Sequence, residues 1–131
     1  MSADYPDDLK YTKEHEWARI SGTVARIGVT RFAVDQLGDV TQVELPEEGE
    51  DVIKDEVFGT VESVKAVSDL FSPVSGKVLK VNSPLNDSPE YVNDDPYDEG
   101  WMLEVEMNEP SQVESLMSAE QYATFIAEQD D

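Results

Sequence analysis

Along most of this chain apolar residues alternate with polar ones in short runs broken by turn residues, the pattern of half-buried strands. After His15, residues 17–20 and 24–29 alternate on either side of a Ser21-Gly22 turn. Residues 40–45 alternate again and stop at the turn Pro46-Glu-Glu-Gly49. Residues 56–64 and 67–71 form two further strands with only Lys65 and Ala66 between them. A turn over 73–76 leads into a strand at 77–81, and 101–106 supply the last one. Residues 82–100, rich in Asn, Asp, Pro and Gly, are expected to be a long polar loop.

Two stretches depart from the period of two. Residues 31–37 follow Thr30, a good N-cap, and precede Gly38, a good residue just past a helix end, so a two-turn helix is expected there. In the tail, Ser111-x-x-Glu114 and Ser118-x-x-Gln121 both have capping-box spacing. Tyr122, Phe125 and Ile126 then fall at i, i+3 and i+4, an apolar stripe that should dock on the sheet. Residues 111–129 are thus expected to be a C-terminal helical extension. Residues 1–12 are polar and expected to be loosely held, with 1–8 loosely ordered. The sum is one mainly β domain over 1–131, a β-sandwich or flattened barrel with a short inserted helix and C-terminal helices.

Composition narrows what such a domain can do. Thirty acidic side chains against nine basic ones leave a net charge of −21, and no Lys or Arg follows Lys80. That field repels phosphate backbones and anionic lipid, so neither a nucleic-acid nor a membrane role is expected. It favours steered encounter with basic protein surfaces. The absence of cysteine excludes disulfides and thiol nucleophiles, and a single histidine excludes a multi-histidine metal centre. His15 is expected to be packed and hydrogen-bonded beside Trp17. Trp17 and Trp101 are expected to be core or cleft walls. The acidic loop 86–99 lacks calcium-loop spacing. The first residues have neither the basic nor the apolar region of a secretory signal, and no apolar run approaches the roughly 20 residues that span a bilayer. A soluble intracellular protein is expected.

Lys65, flanked by Val64 and Ala66 between two strands, would sit at a protruding tip with no neighbouring base. An isolated lysine in such a place is ordinarily a solvated turn residue. Its context is not ordinary. Phe58-Gly59, then Val61-Glu-Ser-Val-Lys-Ala-Val-Ser-Asp-Leu70, then Ser72-Pro-Val-Ser-Gly-Lys-Val78 closely resembles the lipoyl-attachment region of glycine cleavage H proteins. Tyr11 with His15-Glu-Trp17 resembles the family's N-terminal signature, and Gly28 to Thr30 with Leu37 to Asp39 its helix segment. Val81-Asn82, Asn93 through Pro96-Tyr97, and Gly100-Trp101 follow in order, so the resemblance covers roughly residues 9–126. Arg31 and Val34 stand where the family often has an acidic residue and a glutamine, and Thr60 where it often has an apolar one.

The resemblance implies the lipoyl/biotinyl-carrier β-sandwich, with lipoic acid joined covalently to Lys65 on an exposed hairpin. A tether of that kind reaches on the order of 10–15 Å from ordinary bond lengths. It implies a non-catalytic carrier in glycine catabolism and one-carbon metabolism. The decarboxylase (P protein) would load the aminomethyl group of glycine, the aminomethyltransferase (T protein) would take it, and dihydrolipoyl dehydrogenase (L protein) would reoxidise the carrier. A lipoylating enzyme is a fourth partner, and the chain is expected to be a monomer. It would be cytoplasmic in a bacterium or archaeon and in the mitochondrial matrix as a processed eukaryotic chain. The family's loaded arm folds into a cleft of its own protein, where Glu16 and Asp69 are the candidate contacts for a cationic load. Glu62 is a candidate for recognition by the lipoylating enzyme. No catalytic or metal-binding residue is expected. The alternatives are a lipoyl domain or a lipoate-relay protein serving 2-oxo acid dehydrogenases. The former lacks its Pro/Ala-rich linker here and leaves the Trp101 strand and terminal helices unexplained. A biotin carrier would usually flank the lysine with methionines, and a carboxylate-paired hydrolase has only abundant acids in its favour.

Overall fold

The computed structural model describes residues 5–129. Among these described residues nine strands form two antiparallel sheets. The larger orders β1 (Lys10–Tyr11), β2 (Glu16–Ser21), β3 (Val24–Val29), β9 (Leu103–Met107), β8 (Gly76–Val81) and β5 (Asp51–Val52) from edge to edge. The smaller runs β4 (Val40–Glu44), β6 (Val57–Ser63), β7 (Val67–Phe71). This is the mainly β flattened sandwich that the alternation predicts. Its core lies between the sheets, where Ile27, Val105, Leu103 and Val78 of the larger sheet meet Val43, Val61 and Leu70 of the smaller. Val34 and Leu37 of helix α1 (Arg31–Leu37) join that core, so Val34 serves as a packing residue.

Helix α1 begins and ends where its local chemistry dictates. The Thr30 hydroxyl accepts from the Ala33 N–H at 3.3 Å, and Gly38 ends the helix at φ 76°, a conformation that glycine adopts without a Cβ penalty. A second cluster lies on the β1–β2 side of the large sheet. There Leu9, Tyr11 and Trp17 pack against Ala119, Tyr122 and Ile126 of helix α3 (Ala119–Gln129). Each large side chain buried this way contributes about 1.5–3 kcal/mol. The Ser118–Gln121 capping box forms in both directions, through Ser118 N–H to Gln121 Oε1 (2.9 Å) and Gln121 N–H to Ser118 Oγ (3.2 Å).

Three stretches differ from expectation. Residues 111–115 do not continue the terminal helix. Pro110–Ser115 is a 3-10 turn without a side-chain cap, and Gln112 is instead bonded to Ser75 of the β7–β8 connection. Leu116 to Ser118 are not helical, and Met117 bridges Tyr11 as an added strand partner. The expectation of loose order over 1–8 falls partly on residues 1–4, which lie outside the described residues. Residues 5–12 are held: Tyr5 packs edge-on against Tyr122 at 5.4 Å, the Tyr11 hydroxyl donates to Pro6 O at 2.7 Å, and Leu9 and Tyr11 are buried. They are held by α3, more than a hundred residues away, by the Met117 backbone and, through β1, by β2. Within 82–100 there is a 3-10 turn, Ser83–Asn86, and a one-turn helix α2 (Tyr91–Asp94). The segment is fastened by Asn82 Nδ2 to the carbonyls of Glu99 and Trp101 and by Trp17 Nε1 to Pro96 O. No helix among the described residues is long and apolar enough to cross a membrane.

Candidate functional site

Strands β6 and β7 are joined by a tight tip at Val64-Lys65. Two-residue hairpins ordinarily use turns with positive φ, for which Gly, Asn and Asp are suited. None occurs here, because the only positive-φ residues other than glycine among the described residues are His15 and Asp55. Ser63 closes the turn instead. Its N–H donates to Ala66 O at 2.8 Å, while its hydroxyl oxygen accepts from the amides of Lys65 and Ala66, each at 3.2 Å. Lys65 is exposed at the tip between exposed Val64 and Val67. Among the described residues no ion pair or side-chain hydrogen bond engages its ammonium. Its stem passes over the end of α1, where a Cβ on Gly38 would lie 3.4 Å from Lys65 Cε.

Beside this tip opens a cleft of about 640 Å³. One wall is Ala66 of the tip with Ser68, Asp69 and Leu70 of β7, and the other is the Phe32, Gln36 and Leu37 face of α1. The turn Glu14 to Glu16 also lines it. Among the described residues the cleft therefore combines apolar walls with three carboxyl groups, Glu14, Glu16 and Asp69, and no Lys or Arg lines it. Asp69 and Glu14 are exposed, whereas Glu16 is 1% exposed.

Glu16 is set by a turn built around Thr12. The Thr12 hydroxyl oxygen accepts from the amides of Glu14 and Glu16, both at 3.2 Å, and donates to Glu16 Oε1 at 2.8 Å. His15 takes φ 73° to bring the chain round. The second carboxyl oxygen accepts from the Phe71 N–H on β7 at 3.1 Å. Burial dominates its acidity and pushes the pKa up to about 8, against the lowering effect of those two donors. None of the ion pairs Arg19–Asp8, Arg26–Glu104 and Lys54–Asp55 involves it.

His15 is packed and hydrogen-bonded, with Phe32 and Tyr122 rather than Trp17 as its ring partners: its ring is 4.6 Å from that of Phe32 and its Nδ1 2.8 Å from the Tyr122 hydroxyl, and burial lowers its pKa. Trp17 is core and does not line the cleft. Trp101 is half-buried, with the Arg26 guanidinium 4.7 Å over its ring. Glu62 lies away from the cleft, paired across strands with Gln42 and Val67. Arg31 donates through its guanidinium to Asn93 O at 2.8 Å. The cleft also contains Glu14, Phe32 and Gln36, which the sequence analysis did not single out. Of these only Glu14 carried a signal, as an acid two residues before Glu16. Among the described residues no group of His, Cys, Asp and Glu could hold a metal ion.

The chain is similar to known proteins along nearly its whole length. Residues 9–129 match the family described as "Glycine cleavage H-protein". A glycine cleavage system H protein of Anaeromyxobacter sp. (strain K) is 55% identical over 127 residues, covering 97% of this chain and 99% of the relative. One from Halalkalibacterium halodurans is 54% identical over the same length and coverage. The crystal structure of a glycine cleavage system H protein from Mycobacterium marinum superposes with a TM-score of 0.86 at 41% identity, covering 93% of this chain and 98% of that one. The 2-oxo acid dehydrogenase reading is not favoured by these matches.

Proposed function

The chain belongs to the glycine cleavage H-protein family, and from that premise we propose that Lys65 carries its lipoyl group and that the adjacent cleft shelters the loaded arm. The protein is the lipoyl carrier of the glycine cleavage system, a component that moves the aminomethyl group of glycine between enzymes. Its partners are the decarboxylase, the aminomethyltransferase, dihydrolipoyl dehydrogenase and a lipoylating enzyme. A lipoyl group joined to Lys65 supplies a disulfide that accepts the one-carbon unit together with two electrons.

The observation that carries this reading is the juxtaposition of the exposed Lys65, at a tip closed by Ser63, with a cleft that is lined by carboxyl groups and, among the described residues, by no Lys or Arg. Ser63 and the ladders of β6 and β7 hold the root of the tether while the rest remains free to move. Val29, Leu37, Val61 and Leu70 offer an apolar lining to an aliphatic chain. Glu16 and Asp69 face the amine of the load, which is cationic near neutral pH. A cation against the buried Glu16 carboxyl makes a charge-assisted contact and favours release of the proton that burial holds there. Phe32 and the buried end at Glu16 limit water, which slows hydrolytic loss of the amine. Glu62, on the outer face of the same hairpin, is available to the lipoylating enzyme. The whole chain acts as one carrier domain.

The test is intact mass and peptide mapping after incubation with lipoate and a lipoylating enzyme, followed by reconstitution with the partner enzymes. One lipoyl addition at Lys65, absent in Lys65→Arg together with glycine cleavage, is the expected outcome. Addition at another lysine, or activity retained by Lys65→Arg, refutes it.

A further inference from the structure

The lysine tip does not stand on its own hairpin alone. Strands β4 and β6 pair with a register shift between Val40 and Gln42, so regular pairing falters just before the tip. One more bond extends it: the Val64 N–H, next to Lys65, donates to Asp39 O at 3.0 Å. Asp39 is exposed, belongs to no helix or strand, and follows a glycine at φ 76°. Such a residue is a poor anchor unless its neighbours are fixed.

They are fixed by a side chain from a distant part of the chain. Asn93, in α2, donates from Nδ2 to Gly38 O at 2.8 Å and accepts at Oδ1 from the Val40 N–H at 2.8 Å. Its carboxamide thus spans both sides of Asp39 as an adjoining strand would. Asn93 is itself held, its carbonyl accepting from the Arg31 guanidinium at 2.8 Å. The Lys65 stem lies across the same Gly38. The clamped segment therefore touches both the backbone and the side chain of the tip.

We propose that Asn93 is a positioning residue for Lys65. By clamping Gly38 to Val40 it holds the Asp39 carbonyl that anchors Val64, and so presents the lysine in one place to the enzymes that act on it. The functional half of the proposal rests on the reading of Lys65 as the modified residue. The structural half does not.

Two variants separate the roles of the carboxamide. Asn93→Ala removes both bonds, and Asn93→Asp keeps an acceptor for Val40 but loses the donor to Gly38 O. The first readout is amide hydrogen exchange by NMR on unmodified, full-length protein. Val64 is expected to exchange about tenfold faster in Asn93→Ala, the effect of losing one hydrogen bond's support, with Ile27 and Val105 in the sheet core unchanged. The second readout is attachment of lipoate by a lipoate–protein ligase, where KM for the protein should rise severalfold while kcat holds within about twofold. Asn93→Asp, which sets a carboxylate oxygen against Gly38 O in place of the donor, should show the same signature. Unchanged Val64 exchange in the folded variants would overturn the proposal. So would equal acceleration at Val64, Ile27 and Val105, or failure of both variants to fold, since either marks Asn93 as a general stability residue. A wild-type protein unmodified at Lys65 removes the reading of that lysine, and the exchange result then decides the clamp by itself.

Discussion

If burial holds a proton on Glu16, the stability of the protein must depend on pH in a way that one isosteric substitution abolishes. The folded-state pKa is pushed up to about 8, while an unfolded glutamate titrates near 4.3. Between these values the native state binds a proton that the unfolded state has lost, so stability falls as pH rises through this window. From pH 5.5 to pH 8.5 this one group should remove about 3 kcal/mol, since each pH unit within the window is worth at most about 1.4 kcal/mol. Glu16→Gln removes the titration and preserves the site, because the amide oxygen can accept from Phe71 N–H and the amide N–H can donate to Thr12 Oγ1. The assay is urea unfolding followed by tryptophan fluorescence at fixed ionic strength, with wild type and variant compared at each pH. Self-repulsion of a chain at net charge −21 also grows with pH, but it acts on both proteins and cancels in the difference. His15 works in the opposite sense at the acid end, since its lowered pKa costs stability as pH falls. The expected result is a difference that shifts by about 3 kcal/mol in favour of the variant towards high pH. Parallel losses across the whole range would refute the argument that burial, rather than the two donors, governs this carboxyl.

The remaining predictions concern the cleft, the surface and the core. In protein carrying the amine-loaded arm, Asp69→Asn should speed spontaneous amine loss by up to about fivefold, as for an exposed pair. Glu16→Gln should speed it by about tenfold or more, because a desolvated charge-assisted contact is stronger; equal rates for wild type and both variants would leave the two residues with structural roles only. Association with the decarboxylase should slow as salt rises, since exposed charge is screened over about 8–10 Å near physiological ionic strength. A salt-insensitive on-rate would show that shape and the arm dominate. Gly28→Ala places a methyl 2.7 Å from the Trp17 indole and should destabilise the fold by about 1–3 kcal/mol in urea titration, with loss of the Trp17 Nε1 bond to Pro96 O. A neutral result there would mean that the indole can move at little cost.

The sequence by itself determined the features that local rules control. Alternating apolar positions select strands because successive side chains point to opposite faces, and this held for β2, β3, β4, β6, β7 and β8. Thr30 and Gly38 set the two ends of α1, and Ser118 with Gln121 set the start of α3, because caps act within one turn of chain. Lys65 between two apolar strands marked the tip, and the motif around it marked the family. Local rules failed at Ser111 and Glu114, where the spacing of a capping box was present but Pro110 opened a 3-10 turn and Gln112 found Ser75. They were silent over 82–100, which has no periodicity because its order comes from side-chain contacts such as those of Asn82 and Asn93 with distant backbone. Tertiary structure alone decided the cleft. Phe32 and Gln36 from α1, Glu16 from the start of β2 and Asp69 from β7 meet only when the two sheets close on each other. Glu16 could be singled out as a carboxylate from its motif, but its retained proton could not. Acidity is set by desolvation, and desolvation depends on what the rest of the chain places around the group.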